Sequence, residues 1–459
     1  MTTPGQPGWQ QPQQPQQPGW QPYPQQPGYP QQAYPPPGYG QQPGYGQLPG
    51  YGEQPQPPRK GRRWLIVGLV AALVVLAGGG TTWYLLAQQG SGAASPTEAA
   101  LKLTSSLGSG DLVGVLDSLA PAEAALFTDP VKDATSELKR LQVLDGNADP
   151  NALSGVGVQT QNLTFDEAGA QRVNDHVTIT KLTGGTLTIT SDFGKLPLAK
   201  QFLDALPGTP DAGPHTETID IAKEVRESGE PVRIATVQVD GEWYPSLLYT
   251  IADYALREAG QQWPATSIPA KGAASANDAV KELVQAALDA DVQRVIELLP
   301  PDEMGVLHDA GPAILAAAEG ETEPTGAQLL DLRTQTSPVT GGTRATVTSL
   351  KLRDPSGEEY SVTKDGDCYE VSGEGRTQKM CADDLAEQIE SEAGSLPSDV
   401  REVLRHLSGG ILKQGIGVVT TEVNGKHYVS PLRTLTEQGM TVLRSLEPGD
   451  FTKLLKLAQ

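Results

Sequence analysis

The chain has 459 residues, enough for two or three ordinary domains, and a formal net charge of −21 at pH 7. Four of its 34 basic residues and one of its 55 acidic residues precede residue 64, which leaves a net charge of −24 on the remainder. A surface this acidic repels phosphodiester backbones and argues against nucleic acid as a partner, whereas solubility, or attraction of cations or a basic partner, is compatible with it.

Residues 1–63 are predicted to form a disordered cytoplasmic tail. Met1–Pro58 consists almost entirely of Pro, Gly, Gln and Tyr and contains one charged residue, Glu53. Such a segment has too few apolar side chains to offset the entropy of ordering, so a flexible tail is expected. A tail that self-associates or binds a cytoplasmic partner through Tyr and Gln is the alternative.

Residues 64–87 predict a transmembrane helix. Trp64–Ala87 carries no charge, and it is long enough to cross about 30 Å of hydrocarbon. Trp64, Trp83 and Tyr84 lie near its ends, where interfacial aromatic residues are expected. The basic cluster at residues 59–63 predicts a single-pass cell-membrane protein with a cytoplasmic N-terminus and an outer C-terminal region. The alternative, a soluble protein with a buried helix, conflicts with the length of the uncharged run.

The region beyond this span contains one domain twice. Ser95–Asp129 aligns without a gap with Ser275–Asp309, and Val239–Thr250 aligns in the same order with Val423–Thr434. The alignment predicts two tandem ectodomain repeats, joined by a linker whose two prolines indicate limited freedom. The predicted units are a linker at 88–94, repeat 1 at 95–262, a second linker at 263–274 and repeat 2 at 275–459.

Each repeat is predicted to begin with two helices. Ser95-Pro96-Thr97-Glu98 is a capping box with Pro at the first helical position, and Ser275 begins a looser version. A second helix is expected from Asp111 in repeat 1 and from Asp291 in repeat 2, because apolar residues follow at helical spacing.

Alternating runs rich in Val, Thr and Leu then predict antiparallel strands. The predicted strands are Val156–Leu163, Val173–Leu182, Thr186–Thr190, Ala345–Leu352 and Tyr360–Thr363. Each repeat closes with a hairpin, at Asp240-Gly241 or Asn424-Gly425, since these dipeptides accept positive φ at both central positions. A last helix is predicted at Ile251–Ala259 and at Leu435–Leu446.

The two hairpins share the pattern G-x-x-Y-x-S-x-L-x-T, which makes Tyr244, Ser246, Tyr428 and Ser430 candidate pocket or core residues. Residues two apart project from one face of a strand, so this polar row could line a pocket. The structural interpretation is stronger. It places Tyr in the core and lets the following Thr open the last helix through a capping box, as in Thr250-x-x-Asp253.

Cys368 and Cys381 are the only cysteines, and both belong to the predicted outer region. Outside the cytoplasm such a pair most often forms a disulfide, and the Gly-Glu-Gly turn between them suits a cross-linked hairpin. Repeat 1 has no cysteine, so the bridge is predicted to be an addition to the fold.

No motif indicates catalysis, a metal or a cofactor. The five histidines lack zinc-site spacing, and no nucleophile elbow or phosphate-binding glycine loop occurs. Ser136-Glu137-Leu138-Lys139 matches S-x-x-K without its partner motifs, and Asp145–Asn151 resembles a calcium loop without the required Gly and Glu. Asp175 and His176 are adjacent in a predicted strand and should point to opposite faces. We predict no catalytic residues, no metal ligands and no cofactor.

The order of helices, curved strands and a late hairpin resembles the nuclear-transport-factor-two-like (cystatin-like) α+β cone fold. The resemblance rests on Gly110-Asp111, Ala290-Asp291 and Asp240-Gly241-Glu242-Trp243-Tyr244, and it covers most of each repeat. It implies an α+β class with two tandem helix-plus-curved-antiparallel-sheet domains. The family contains isomerase-like enzymes and inert binding domains, so the fold does not decide the function. The layout of tail, anchor and ectodomain resembles uncharacterised actinobacterial envelope proteins.

These observations predict a single-pass envelope protein whose ectodomain is a binding or scaffold module without catalysis. Its partners would be the lipid bilayer, through Trp64–Ala87, and another envelope protein, a cell-wall polymer or a lipid. The alternative is an extracytoplasmic enzyme or carrier with a ligand pocket in the cone. The repeats share mainly caps, turns and core positions, so a specific function is expected where they diverge.

Overall fold

A computed structural model of the chain describes residues 92–108, 116–148, 156–206, 213–393 and 396–457, all within one compact unit. The predicted tail, the predicted span Trp64–Ala87 and the start of the second helix at Asp111 lie outside these residues. No helix in the described ranges is long and apolar enough to cross a membrane. The transmembrane helix stays a prediction.

The described residues form mixed α+β structure with two curved antiparallel sheets, which confirms the predicted class. The helices of repeat 1 are α1 (Pro96–Gly108), α2 (Pro121–Arg140), α3 (Lys200–Ala205), α4 (Ile221–Ser228) and α5 (Leu247–Glu258), with a 3-10 turn at Phe193–Lys195. Those of repeat 2 are α6 (Ala276–Leu288), α7 (Val292–Glu297), α8 (Gly305–Asp309), α9 (Gly311–Ala318), α10 (Ala382–Ala393), α11 (Ser398–Gln414), α12 (Pro431–Ser445) and α13 (Asp450–Leu457).

Each repeat contributes one sheet. Sheet 1 contains β1 (Val156–Phe165), β2 (Gln171–Arg172), β3 (Val177–Ser191), β4 (His215–Asp220), β5 (Val232–Val239) and β6 (Glu242–Ser246). Sheet 2 contains β7 (Gln328–Val339), β8 (Gly342–Arg353), β9 (Glu359–Asp365), β10 (Cys368–Gly373), β11 (Arg376–Cys381), β12 (Gly417–Val423) and β13 (Lys426–Val429).

The two sheets follow one pairing plan. The long strand β3 pairs with β1, and it also pairs with β5 near its start and with β4 near its end. In repeat 2 the long strand β8 pairs with β7, with β12 near its start and with β9 near its end. The duplication is therefore visible in strand pairing as well as in sequence.

Local turn and cap signals predict several elements correctly. Ser275 and Asp291 cap α6 and α7, and both residues of each hairpin turn, Asp240-Gly241 and Asn424-Gly425, have positive φ. The prediction of two strands at Val173–Leu182 and Thr186–Thr190 is wrong. The chain continues through Gly185, at φ 116°, as the single strand β3.

The predicted starts of the last helices are also wrong. The helices α5 and α12 begin at Leu247 and Pro431, one turn earlier than predicted, because Ser246 and Ser430 are the N-caps. Thr250 lies inside the first turn of α5 and donates its hydroxyl hydrogen to the Ser246 carbonyl, so it does not cap the helix. The hydroxyl oxygen of Thr250 accepts the N–H of Ala235 and joins the helix to β5.

The described parts of the predicted linkers, residues 92–94 and 263–274, contact the repeats. Ala93 forms a β-bridge with Trp243, and Ala273 forms the equivalent bridge with His427. Trp263 donates its indole N–H to Asp253 at 3.0 Å and stacks near Tyr249. The contacts of Trp263 therefore restrict the 263–274 segment further than its two prolines alone predict.

Cys368 and Cys381 form the predicted disulfide. They face each other in the register of β10 and β11, a hairpin that sheet 1 does not have within the described residues. Tyr369, next to the bridge, is buried and its hydroxyl accepts the N–H of Ile416, which connects the hairpin to the start of β12.

Replacing both cysteines by serine is expected to open this hairpin without unfolding repeat 1. Closing a loop with a sequence separation of 13 stabilises the linked state by about 3 kcal/mol. Hydrogen exchange at residues 368–381 should accelerate, while amides of β3 and β5 keep their protection. Equal loss of protection in both sheets would contradict an added, local role for the bridge.

Candidate functional site

The candidate residues Ser246 and Ser430 begin the closing helices, where they join a buried carboxylate. The hydroxyl of Ser246 accepts the N–H of Tyr249 and donates to Glu123 at 2.6 Å. The hydroxyl of Ser430 accepts the N–H of Arg433 and donates to the equivalent acid, Glu303, at 2.5 Å. Both serines are buried, so the structure places them in helix caps and in the core.

Glu123 is the more unusual of the two acids. It is 4% exposed, and its Oε1 accepts the N–H groups of Leu247 and Leu248 at 2.6 and 3.0 Å. Burial raises the pKa of Glu123 to about 7, although the hydrogen bonds from Ser246, Leu248 and Leu247 favour its charged form. Glu303 instead accepts a charged donor, Arg433 Nε, at 2.6 Å.

The candidate residues Tyr244 and Tyr428 occupy equivalent buried positions. Tyr244 donates its hydroxyl to Glu242 and lies against Gly92, where an added Cβ would fall within 3 Å of the ring. Tyr428 lies in the same way against Gly272. The rings therefore pack on the segment that precedes the first helix of each repeat.

The last residue of the duplicated segment joins the two repeats. Asp309, from repeat 2, accepts hydrogen bonds from three side chains of repeat 1: Asn174 Nδ2 at 2.9 Å, His176 Nε2 at 3.0 Å and the Tyr249 hydroxyl at 2.8 Å. Burial, followed by the charge of Asp309, holds the pKa of Tyr249 well above its usual range, so this hydroxyl stays protonated and donates.

The reciprocal contact exists on the other side. Asp129, the equivalent of Asp309, accepts a hydrogen bond from Arg433 Nη1 at 3.0 Å, and Arg433 is the equivalent of Tyr249. Residue i of one copy meets residue j of the other, and j meets i, which is the pattern of an isologous two-fold interface. We call these two networks and the apolar contacts between them the seam.

Apolar side chains fill the seam between the two networks. Leu248 and its equivalent Leu432 both pack on one cluster, to which repeat 1 contributes Leu126 and repeat 2 contributes Leu299 and Met304. Elsewhere Leu141 and Val143 of repeat 1 share a core cluster with Val403 and Leu446 of repeat 2. The repeats therefore bury apolar surface against each other.

The His176–Asp309 contact depends on pH in two opposite ways. The pKa of His176 is raised by its hydrogen bond to Asp309. Burial acts to raise the pKa of Asp309, but hydrogen bonds from His176 and Tyr249 outweigh it and hold that pKa below 3.8. The contribution of His176 to the free energy of unfolding is present below pH 6.5 and is lost as pH rises through its raised pKa. The Asp309 contribution is present above 3.8 and is lost as pH falls through its lowered pKa. The contact is strongest between these values, and the 46% exposure of His176 limits its magnitude.

Of the clefts on the described surface, three have linings that contain none of Tyr244, Ser246, Tyr428 and Ser430. One of about 350 Å³ lies at the seam beside Arg433 and His427, one of about 430 Å³ lies beside Arg344, and one of about 400 Å³ lies beside Gln293. Among the described residues no group of His, Cys, Asp and Glu could hold a metal ion.

Glu123, Asp309 and Arg433 were not predicted as site residues, because their partners lie far away in the chain. The repeat alignment contained a signal, because Glu123/Glu303 and Asp129/Asp309 are acids that both copies retain. The prediction that Asp175 and His176 lie in a strand is wrong, since both lie in the bend between β2 and β3. Their side chains have different partners, Arg172 for Asp175 and Asp309 for His176.

No protein-family model, no curated protein and no solved structure matches this chain. The resemblance to the nuclear-transport-factor-two-like fold stays a prediction.

Replacing Glu123 by Gln is expected to remove a pH-dependent part of the free energy of unfolding. Because its folded pKa of about 7 exceeds the ordinary value of 4.5, the contribution of Glu123 is fully present below pH 4.5 and is lost as pH rises through 7. The loss amounts to about 3 kcal/mol. Urea unfolding of both proteins at several pH values between about 4 and 8 measures it.

Ser246→Ala is the matched control, because it removes a donor to the carboxylate but keeps the titrating group. This variant should be less stable and retain the pH dependence. A Glu123→Gln protein with the wild-type pH profile would show that Glu123 does not titrate in this range.

Proposed function

We propose that this chain is a single-pass cell-envelope protein whose two repeats act together as one rigid extracytoplasmic scaffold or binding module, without catalysis. Its partners would be the lipid bilayer, through Trp64–Ala87, and an envelope protein, a cell-wall polymer or a lipid. The observation that carries the proposal is the seam, because a reciprocal interface fixes the geometry of both repeats relative to each other.

The buried groups of the seam support rigidity. Asp309 holds three donors from repeat 1, and Arg433 is shared between Glu303 of its own repeat and Asp129 of the other. Breaking such a contact leaves a buried charge without its partner, which is strongly unfavourable. Two repeats on a flexible tether would not need these residues.

The disulfide and the charge support a location outside the cytoplasm. Disulfides persist in oxidising compartments and are rare in the cytosol, and Cys368–Cys381 is bridged. The net negative charge of the region that follows the predicted anchor would keep a domain on the cell surface soluble.

The geometry of Glu123 argues for a structural role. Its pKa of about 7 would suit general acid–base catalysis, but a catalytic acid must reach the substrate proton. Both oxygens of Glu123 are bonded to the start of α5, and the residue is buried. The carboxylate is therefore committed to a helix terminus.

Cysteine labelling tests the topology, because the two native cysteines are paired and none of the described cysteines is free. We expect Ser267→Cys, at an exposed position in the linker, to react with a membrane-impermeant maleimide in intact wall-less cells. Gln31→Cys, in the predicted tail, should react only after the membrane is opened. Labelling of Gln31→Cys from outside, or protection of Ser267→Cys, would contradict the proposed orientation.

The rigid seam predicts that both repeats unfold together. Trp243 lies in repeat 1, Trp263 lies in the linker that packs on it, and repeat 2 has no tryptophan. The other four tryptophans precede residue 88, so the unfolding change in tryptophan fluorescence weights repeat 1 over repeat 2, while circular dichroism reports both. The two signals should coincide in the wild type and separate in the double variant Asp129→Asn/Asp309→Asn, since each substitution breaks one network.

Asp331→Asn is the control for this experiment. Asp331 pairs with Arg333 on the surface of sheet 2, away from the residues of the seam. Its unfolding signals should still coincide. Separate transitions already present in the wild type would show that the repeats are independent.

A further inference from the structure

The cleft of about 430 Å³ lies where the two repeats differ most in their buried ion pairs. It is lined by Asp133, Ser337, Pro338, Val339, Thr340, Arg344, Glu437 and Arg444. At the equivalent place in repeat 1 the acid is Asp253, which lies at the same position of the closing helix as Glu437. Repeat 1 therefore serves as an internal reference for the chemistry of this position.

In repeat 1 the buried acid is satisfied and covered. Arg233 donates to Asp253 through Nε at 2.5 Å and through Nη2 at 3.0 Å. Trp263 adds a third donor at 3.0 Å, and Gln171 accepts from the same guanidinium. All the charged groups have partners there.

In repeat 2 the arginine comes from the neighbouring strand. Arg344 occupies the position that Ile179 has in repeat 1. Ile179 pairs with Ala235, whose N–H donates to Thr250 of the closing helix. Arg344 pairs with Val419, whose N–H donates to the equivalent threonine, Thr434. Gly417 occupies the position of Arg233, and no tryptophan is present to cover Glu437.

The cations of this cleft are not fully satisfied. Arg344 is 5% exposed, yet its Nε has no hydrogen-bond partner, its Nη1 lies 3.5 Å from Glu437 Oε1, and its Nη2 donates to the Gly415 carbonyl. Arg444, one-third exposed, donates through Nη1 to the same oxygen of Glu437 at 2.7 Å. Two guanidinium groups thus share one carboxylate oxygen, and buried donors are normally paired.

We propose that this cleft binds a small organic carboxylate, whose oxygens accept hydrogen bonds from Arg344 Nη1 and from Arg444 beside Glu437. Arginine forks match planar carboxylates. The charged groups of the lining, Arg344, Arg444, Glu437 and Asp133, sum to zero, so a monoanion disturbs the charge balance less than a dianion does. Asp133, also at the rim and bonded to Thr340, would repel a second negative charge and so disfavours a phosphate dianion. The inference goes beyond the scaffold role and does not depend on the membrane anchor.

Protection of arginine from phenylglyoxal tests the site in the purified full-length protein. Propionate is the probe, and chloride at equal ionic strength controls for screening. At a concentration about ten times its Kd, propionate should slow modification of Arg444 about tenfold. Peptide mass spectrometry reads each arginine separately.

Arg257 is the internal control, since it is 40% exposed and lies on the closing helix of repeat 1. Its modification should not respond to propionate. Equal protection of Arg257 and Arg444, or protection by inorganic phosphate but not by propionate, would overturn the proposal.

Two variants connect the protection to the cleft. Ser337→Trp, at an exposed lining position, should fill the space as Trp263 does in repeat 1 and abolish the propionate effect. Thr336→Trp, the neighbouring position on the other strand face, should retain it. Protection that persists in Ser337→Trp would place the ligand elsewhere, and this test does not require removal of the buried Arg344.

Discussion

The hydrogen bond between a buried glutamate and the N-cap serine of each closing helix determines the position of most other features. A helix start leaves several N–H groups without partners, and in the core water cannot supply acceptors. Glu123 accepts two N–H groups and the Ser246 hydroxyl, which fixes α5 against α2.

One turn further along the helix comes the residue that crosses the seam, Tyr249 in repeat 1 and Arg433 in repeat 2. The capped helix start therefore fixes the position of the residue that crosses the seam, and the contacts across the seam fix the two repeats relative to each other. The threonine in the same turn adds the bond to the neighbouring strand, in repeat 2 as in repeat 1.

The two sides of the seam use different chemistry at equivalent positions. On one side a neutral tyrosine and a histidine reach Asp309, and on the other an arginine reaches Asp129. Gly341 lies where repeat 1 has His176, and an added Cβ there would collide with the Arg433 guanidinium. Repeat 2 thus combines the long side chain of Arg433 with a glycine, Gly341, at the position that His176 has in repeat 1. Fusion of two copies of an isologous dimer permits such changes, because each side can then vary alone.

What the sequence predicts well is local. The Asp-Gly and Asn-Gly turns, the Ser275 cap and the disulfide hairpin each depend on residues close together in the chain. The helix α2 was not predicted, since Pro121 at its start and Pro130 inside it resemble breaks.

The seam and the buried acids could not be predicted for a different physical reason. Glu123 meets Ser246 and Asp309 meets His176 across more than a hundred residues. The repeat alignment marks the acids, but nothing in one sequence indicates which distant residue each of them contacts. The threonine pattern at Thr250 suggested a cap, but burial made the preceding Ser246 the better acceptor, because it could also donate to Glu123.

The buried ion pairs show how the duplicated unit tolerates divergence. Both repeats keep an acid on the closing helix, Asp253 or Glu437, but its arginine comes from β5 in repeat 1 and from β8 in repeat 2. An added Cβ at Gly417 would lie 2.2 Å from Arg344 Nε, so the glycine and the displaced arginine require each other. Each acid therefore has an arginine partner, but from a different strand. Arg344 is less well bonded than Arg233, and no tryptophan donates to Glu437 as Trp263 does to Asp253, and these differences distinguish the second repeat from the first.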